Sequence, residues 1–246
     1  MSKILEHDII ERSFQDIPKE GLSKSDQLLF LSELYWKKGD TWSDLFKSKR
    51  ILIVSEAGTG KTYECKRQQE ILYQNGEPSF YIELSDLAHT NLCDFFSSEE
   101  QDRFDQWRAA QSDIATFFLD SIDELKLTLG SFKRALKNLE KAIAGNLARA
   151  RIIVTSRPIP IDEKLFREIL PVPTAFDPPP ASGEEFADIA MERQPEAPSD
   201  EQAADDWRNV ALLPLSNAQI RLLASNEGVA DPDAFLADIQ QLTCSP

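Results

Sequence analysis

Two short runs hold residues whose types and spacing can do chemistry. The first is Ser55-Glu56-Ala57-Gly58-Thr59-Gly60-Lys61-Thr62, and the second holds Asp120, Asp123 and Glu124. In the first run, Gly58 and Gly60 admit backbone conformations closed to other residues, so successive N–H groups can turn inward onto an anion. Lys61 adds a point charge, and the Thr62 hydroxyl can ligate a small, hard cation. Phosphate oxygens held together with Mg²⁺ suit such a set. The flanks agree, because an apolar run from Ile51 to Val54 breaks at this small-residue turn and passes into a helical pattern. That helix would present its positive end to the anion. The pattern G-x-x-x-x-G-K-[ST] is met except at its first position, where Ser55 stands in place of glycine. The first glycine mainly eases the exit from the strand, and the two that approach phosphate are kept. The expected cradle runs from Ser55 through Tyr63.

Ile114 to Leu119 form a second, nearly unbroken apolar run, as a strand buried on both faces of a parallel sheet requires. The run ends at Asp120, which places a carboxylate at the carboxyl end of a strand, where open α/β sheets bind ligands. There it would hold Mg²⁺ beside Thr62, directly or through water. Asp123 and Glu124 follow within one turn, and either could orient or deprotonate a water for attack on a γ-phosphate. A third strand is expected in "RIIVTSRP", Arg151 to Pro158, ending in Thr155, Ser156 and Arg157. Its end would face the same ligand, with Arg157 placed to report a γ-phosphate.

"SEAGTGKT", "FFLDSIDEL" and "IIVTSRP", in this order, resemble the three nucleotide motifs of the NACHT branch of the STAND NTPases. An aspartate, a small residue at Ser121, one spacer and Asp-Glu resembles that branch's form of the second motif. The resemblance covers residues 42 to 158 well and the remainder loosely. It implies a P-loop α/β fold in three layers, with a parallel five-stranded sheet in the order 5-1-4-3-2. It implies a signalling switch that exchanges ADP for ATP, hydrolyses ATP with Mg²⁺ and often oligomerises when a sensor engages. Many bacterial relatives of this kind act in defence against phage. The resemblance favours ATP, and no N-K-x-D guanine motif is present. It also implies a Gly-x-Pro-like turn at the base of a helical lid. Pro246 is the candidate for its proline, with Cys244 in place of the glycine. Two other readings of the same motifs are a P-loop small-molecule kinase and a nucleotide-binding module with negligible turnover.

Composition bounds the setting. A chain of 246 residues can bury one large α/β core with a small helical appendage. No apolar run approaches a membrane span, and the first residues are too charged for a secretory signal. Three scattered cysteines and two histidines argue for reduced thiols in a cytoplasm, and against a disulfide framework or a histidine-based metal site. A net charge of −15 argues against a general nucleic-acid surface. From Ile159 onward there are 17 acidic and 5 basic residues, so most of the excess lies there. The expected partners are nucleotide, a second copy of the chain, or a sensor or effector protein.

Four segments are expected. Residues 1–41 read as mainly helical, with Leu28, Leu31, Leu34 and Tyr35 at helical spacing. Residues 42–170 form the nucleotide core. Trp42, Leu45 and Phe46 pack on it, strands lie near Ser79 to Leu84, and an amphipathic helix begins at Ser131. Lys47 to Arg50 reads as the solvated approach to the first strand. Residues 171–206 are proline-rich and acidic, a linker with a short helix around Glu184 to Arg193. Residues 207–246 supply a last strand at Val210 to Leu213, a helix capped by Ser216 and a further helix with Phe235, Leu236 and Ile239 on its apolar side, as a partial lid.

Overall fold

The computed structural model describes residues 10–17, 39–120, 129–158, 163–173 and 207–243. In chain order the elements are β1 (Phe14–Asp16), α1 (Trp42–Leu45), β2 (Arg50–Val54), α2 (Lys61–Gln74), β3 (Ser79–Glu83), α3 (Leu84–Leu87) and α4 (Ser98–Ala109). They continue with β4 (Ala115–Asp120), α5 (Leu129–Ala142), β5 (Ala150–Ser156), α6 (Glu163–Ile169), β6 (Arg208–Leu212), α7 (Asn217–Asn226) and α8 (Pro232–Thr243). The protein is α/β, with one six-stranded mixed sheet in the order β1-β6-β2-β5-β4-β3. β2, β5, β4 and β3 pair in parallel along that series, and β1 pairs antiparallel with β6. The sequence expectation of five strands, all parallel, is corrected by β1. Without β1, the five remaining strands stand in the expected order, 5-1-4-3-2.

Two compact units divide the chain, Met1–Leu45 with Asn209–Pro246 and Phe46–Arg208. In the larger one, alternation along each parallel strand sends side chains to both faces of the sheet. Leu52, Phe80, Ile82, Phe117, Leu119, Ile152 and Val154 join one hydrophobic cluster with residues of α3, α4, α5 and α6. Rings dominate it: Phe80 stacks on Phe117 at 5.2 Å between centroids, and Trp107 meets Phe117 edge-on at 5.5 Å. Each such buried ring contributes about 1.5–3 kcal/mol through area removed from water. α2 packs on β3 and β4, burying Cys65 and Leu72. α4 starts where the sequence favours a start, because Ser97 and Glu100 form a reciprocal capping box. α5 buries Leu136 and Leu139, followed by Ile143, as its apolar spacing requires.

Arg50 departs from expectation. Far from being solvated, it is 1% exposed. Its guanidinium donates to the carbonyls of Lys49 (2.9 Å), Ala150 (2.5 Å), Leu147 (3.2 Å), Leu170 (3.2 Å) and Pro171 (3.1 Å). Lys47 and Lys49 keep the expected contact with solvent. Trp207 also donates to Leu170, at 3.2 Å, and its ring lies 4.8 Å from Phe166.

In the smaller unit, Phe14–Asp16 is extended where the first forty residues had read as mainly helical. Long-range pairing overrides local pattern here: Phe14, Gln15 and Asp16 lie opposite Leu212, Ala211 and Val210. Phe14 is fully buried, exchanges backbone hydrogen bonds with Asp40 and meets Trp42 edge-on at 4.9 Å. α7 begins at the expected cap, with Ser216 and Gln219 forming a second capping box. α8 buries Leu236. Arg221 and Asp233 pair between the two helices at 2.5 Å. The stretches around Leu28 to Tyr35 and Glu184 to Arg193, together with Ser121, Cys244 and Pro246, lie outside the described residues. Among the described residues no helix is long and apolar enough to cross a membrane.

Candidate functional site

The turn after β2 takes its shape from two glycines. Gly58 (φ 77°) and Gly60 (φ 89°) both occupy the left-handed region, which side chains disfavour. A methyl group on Gly58 would meet nothing within 4 Å, so backbone conformation and not crowding fixes the glycine there. Gly60 precedes the first turn of α2, and its carbonyl accepts from the Glu64 N–H at 2.9 Å. Inside the loop the Ser55 and Thr59 hydroxyls lie 2.8 Å apart, and Thr59 also donates to the Glu56 carbonyl at 2.9 Å. Ser55 therefore fills its unusual position with a side-chain bond that glycine could not make. The loop is tied to the neighbouring strand by Ser55 N–H donating to the Ser156 carbonyl at 3.1 Å.

Lys61 bends back over this loop, and its ammonium donates to the carbonyls of Ser55 (2.7 Å) and Glu56 (2.8 Å). Glu56, Ala57 and Gly58 are exposed. Both acceptors are backbone carbonyls of an open turn, contacts that an incoming anion can displace. Tyr63 points outward from the first turn of α2, 71% exposed.

Asp120 is the second half of the site. Only 2% exposed, it ends β4. A buried carboxylate needs donors, and three hydroxyls supply them. Thr62 donates to Oδ2 at 2.6 Å, Tyr81 donates to the same oxygen at 2.8 Å, and Thr155 donates to Oδ1. Sheet register explains the convergence. Leu119 pairs with Val154, which brings the next residues, Asp120 and Thr155, side by side. On the opposite flank, Glu83 pairs with Asp120 and Tyr81 lies two residues earlier on β3, on the same face. The carboxylate is thus held from both neighbouring strands and from α2.

No protein-family model matches the chain, and no curated protein matches it either. The site is therefore read from its own geometry. Two motifs far apart in sequence meet in one hydrogen bond, Thr62 to Asp120. That bond directs the Thr62 proton at the carboxylate and leaves the oxygen's lone pairs turned away from it. Thr62 is itself exposed. An oxygen so oriented fits a hard cation that also binds phosphate oxygens, because Mg²⁺ takes few protein ligands and keeps the rest as water or phosphate. Among the described residues no cluster of three or more His, Cys, Asp or Glu side chains is placed to hold a metal.

Arg157 follows directly after β5 and is exposed, and its carbonyl accepts the Ser156 hydroxyl at 2.8 Å. Asp123 and Glu124 lie outside the described residues. Beneath the site, Glu64 pairs with Arg67 at 3.2 Å and Cys65 is buried. Burial, helped by nearby Asp120 and Glu64, pushes the Cys65 thiol well up, so it stays protonated and inert. Sequence reasoning did not single out Tyr81, since an aromatic within a strand reads as packing. It also expected the strand end at Thr155 and Ser156 to turn a hydroxyl to the ligand, whereas Thr155 donates to Asp120 and Ser156 to the Arg157 carbonyl.

Proposed function

We propose that this chain is the nucleotide core of a NACHT-type STAND ATPase, a P-loop switch that binds ATP and ADP and hydrolyses ATP slowly with Mg²⁺. One observation carries this reading. The Thr62 to Asp120 hydrogen bond joins the end of a glycine-rich loop to the carboxylate at the end of a parallel strand. This is the joint a phosphate-and-metal site needs. The loop's left-handed glycines and the displaceable Lys61 ammonium support it further.

In this reading the backbone N–H groups from Gly58 to Thr62 and the Lys61 ammonium hold the β- and γ-phosphates. Thr62, oriented by Asp120, would hold Mg²⁺, which when bound neutralises charge on the phosphates. Asp123 or Glu124 positions or deprotonates the attacking water. Ser55, Glu56, Ala57, Thr59 and Tyr63 complete the loop around the nucleotide, and Arg157 senses the γ-phosphate. Pro246 belongs to the lid's base.

The test joins nucleotide retention to turnover. Purified protein is denatured, any released nucleotide is identified, and phosphate release from Mg²⁺-ATP is followed for wild type, Lys61→Ala and Glu124→Gln. The expected result is ADP or ATP in wild type, none in Lys61→Ala, and release slowed about a hundredfold in Glu124→Gln, the lower end of the range for a general base. Retained nucleotide with no phosphate release would make the chain a binding module. Loss of ATP that depends on an added small-molecule acceptor would make it a kinase.

A further inference from the structure

We infer that Tyr81, backed by Lys66, is a positioning residue that sets the metal-facing orientation of Thr62 through Asp120. This inference rests on the nucleotide reading above and deepens it.

A carboxylate oxygen offers two lone pairs in its plane. At Asp120 Oδ2 both are taken, one by Thr62 at 2.6 Å and one by Tyr81 at 2.8 Å. Thr155 occupies Oδ1. Direct ligation of a cation at Oδ2 would require one hydroxyl to leave. At Oδ2, Asp120 therefore acts through Thr62: this oxygen fixes where the Thr62 proton points and hence where its lone pairs point. The carboxylate can do this only if its own plane is fixed. From the sheet, Thr155 anchors Oδ1, and Tyr81 supplies the one strand-borne donor to Oδ2, the oxygen that Thr62 uses.

Lys66 completes the device. It lies one helical turn after Thr62 on α2, so the two side chains leave the same face. Thr62 reaches Asp120 directly. The Lys66 ammonium lies 4.7 Å from the centroid of the Tyr81 ring. A cation over the ring draws electron density from the phenol and makes its hydroxyl a stronger donor. α2 thus grips Asp120 twice, once by its own threonine and once through the ring on β3.

The test separates metal dependence from nucleotide binding as such. Binding of a fluorescent ADP analogue is measured in EDTA and across a Mg²⁺ titration, for wild type, Tyr81→Phe and Lys66→Met, with thermal melts alongside. Tyr81→Phe keeps the ring and removes only the hydroxyl. It is expected to raise the Mg²⁺ concentration for half-maximal enhancement about tenfold, the scale of one hydrogen bond to a charged group. Its affinity in EDTA stays at the wild-type value, and its melting temperature falls by only about 3–6 °C, the cost of one lost donor to a buried carboxylate. Lys66→Met is expected to shift the same midpoint about threefold.

A Tyr81→Phe titration that overlays wild type overturns the inference while leaving the nucleotide reading intact. Equal losses in EDTA and in Mg²⁺ overturn it in favour of a structural role. An unshifted Lys66→Met beside a shifted Tyr81→Phe removes Lys66 alone. Wild type that binds the analogue under neither condition overturns the nucleotide reading, and the role of Tyr81 falls with it.

Discussion

Arg50 opens the β2 strand and Lys61 follows the loop at its other end, and each directs its charge at backbone carbonyls, yet the two ends are built for opposite purposes. Arg50 is 1% exposed and donates to five carbonyls, contributed by β2's own approach, by the start of β5 and by the chain after α6. Burial draws its guanidinium down to about 10. Lys61 donates to two carbonyls of an open turn, Ser55 and Glu56. The first cation closes a cage that nothing can enter. The second rests on carbonyls of an exposed turn, which on the proposed reading is a place for phosphate. What marks a binding site is thus not the presence of a charge but whether its partners can be exchanged without leaving a buried polar group unpaired.

The largest effect should come from the closed end. Arg50→Met removes a buried cation of similar length and leaves several buried carbonyls without a donor. Each unpaired carbonyl of this kind costs about 1–3 kcal/mol, and neighbouring losses overlap as the site relaxes. Equilibrium unfolding in urea should show a loss of about 3–5 kcal/mol. A loss below about 1 kcal/mol, within the range of ordinary surface substitutions and caps, would mean water replaces the guanidinium, and the contrast between the two ends would collapse.

A smaller effect is expected in the loop. Gly58→Ala adds a methyl group that meets nothing within 4 Å, at a residue with φ of 77°. The penalty is conformational alone, about 1–2 kcal/mol. Either it appears as lost stability in urea, or the loop relaxes toward φ below zero and nucleotide affinity falls instead. If neither quantity changes, the left-handed turn is not what shapes the cradle.

This contrast also separates what was legible in the sequence from what was not. Apolar runs announced β2, β4 and β5 within a residue or two, because a parallel strand buried on both faces needs an unbroken run. Ser216 announced α7, because its capping box is local. The loop glycines and the pairing of Thr62 with Asp120 were legible because the motif fixes them on strand ends. Arg50 was not. Its acceptors lie up to 121 residues away, and no local pattern distinguishes a buried arginine from its solvated neighbours Lys47 and Lys49. Tyr81 was missed for a related reason, since its hydroxyl reaches Asp120 only through the register that pairs Tyr81 with Phe118. β1 has three residues, too few for alternation to appear, and its pairing with β6 spans nearly the whole chain.

The smallest stability effect should be at the open end. Lys61→Met removes two hydrogen bonds that look, by distance alone, as good as those of Arg50. Their acceptors are an exposed turn's carbonyls, and water can replace the ammonium at Glu56 without desolvating anything. Of these two acceptors, the Ser55 carbonyl, on a residue 6% exposed, is the one that stands to lose a partner. The net change should stay within about 0.5 kcal/mol, as for surface substitutions generally. The same urea experiment repeated with saturating ADP sharpens the comparison. On the proposed reading, ADP at a hundredfold excess over Kd would stabilise wild type by about 2.7 kcal/mol, and that increment should vanish in Lys61→Met while persisting in whatever Arg50→Met still folds. Were Lys61→Met instead to lose 2 kcal/mol or more without ligand, its ammonium would be a latch of the same kind as Arg50, and the loop would be a closed turn with no exchangeable place for phosphate.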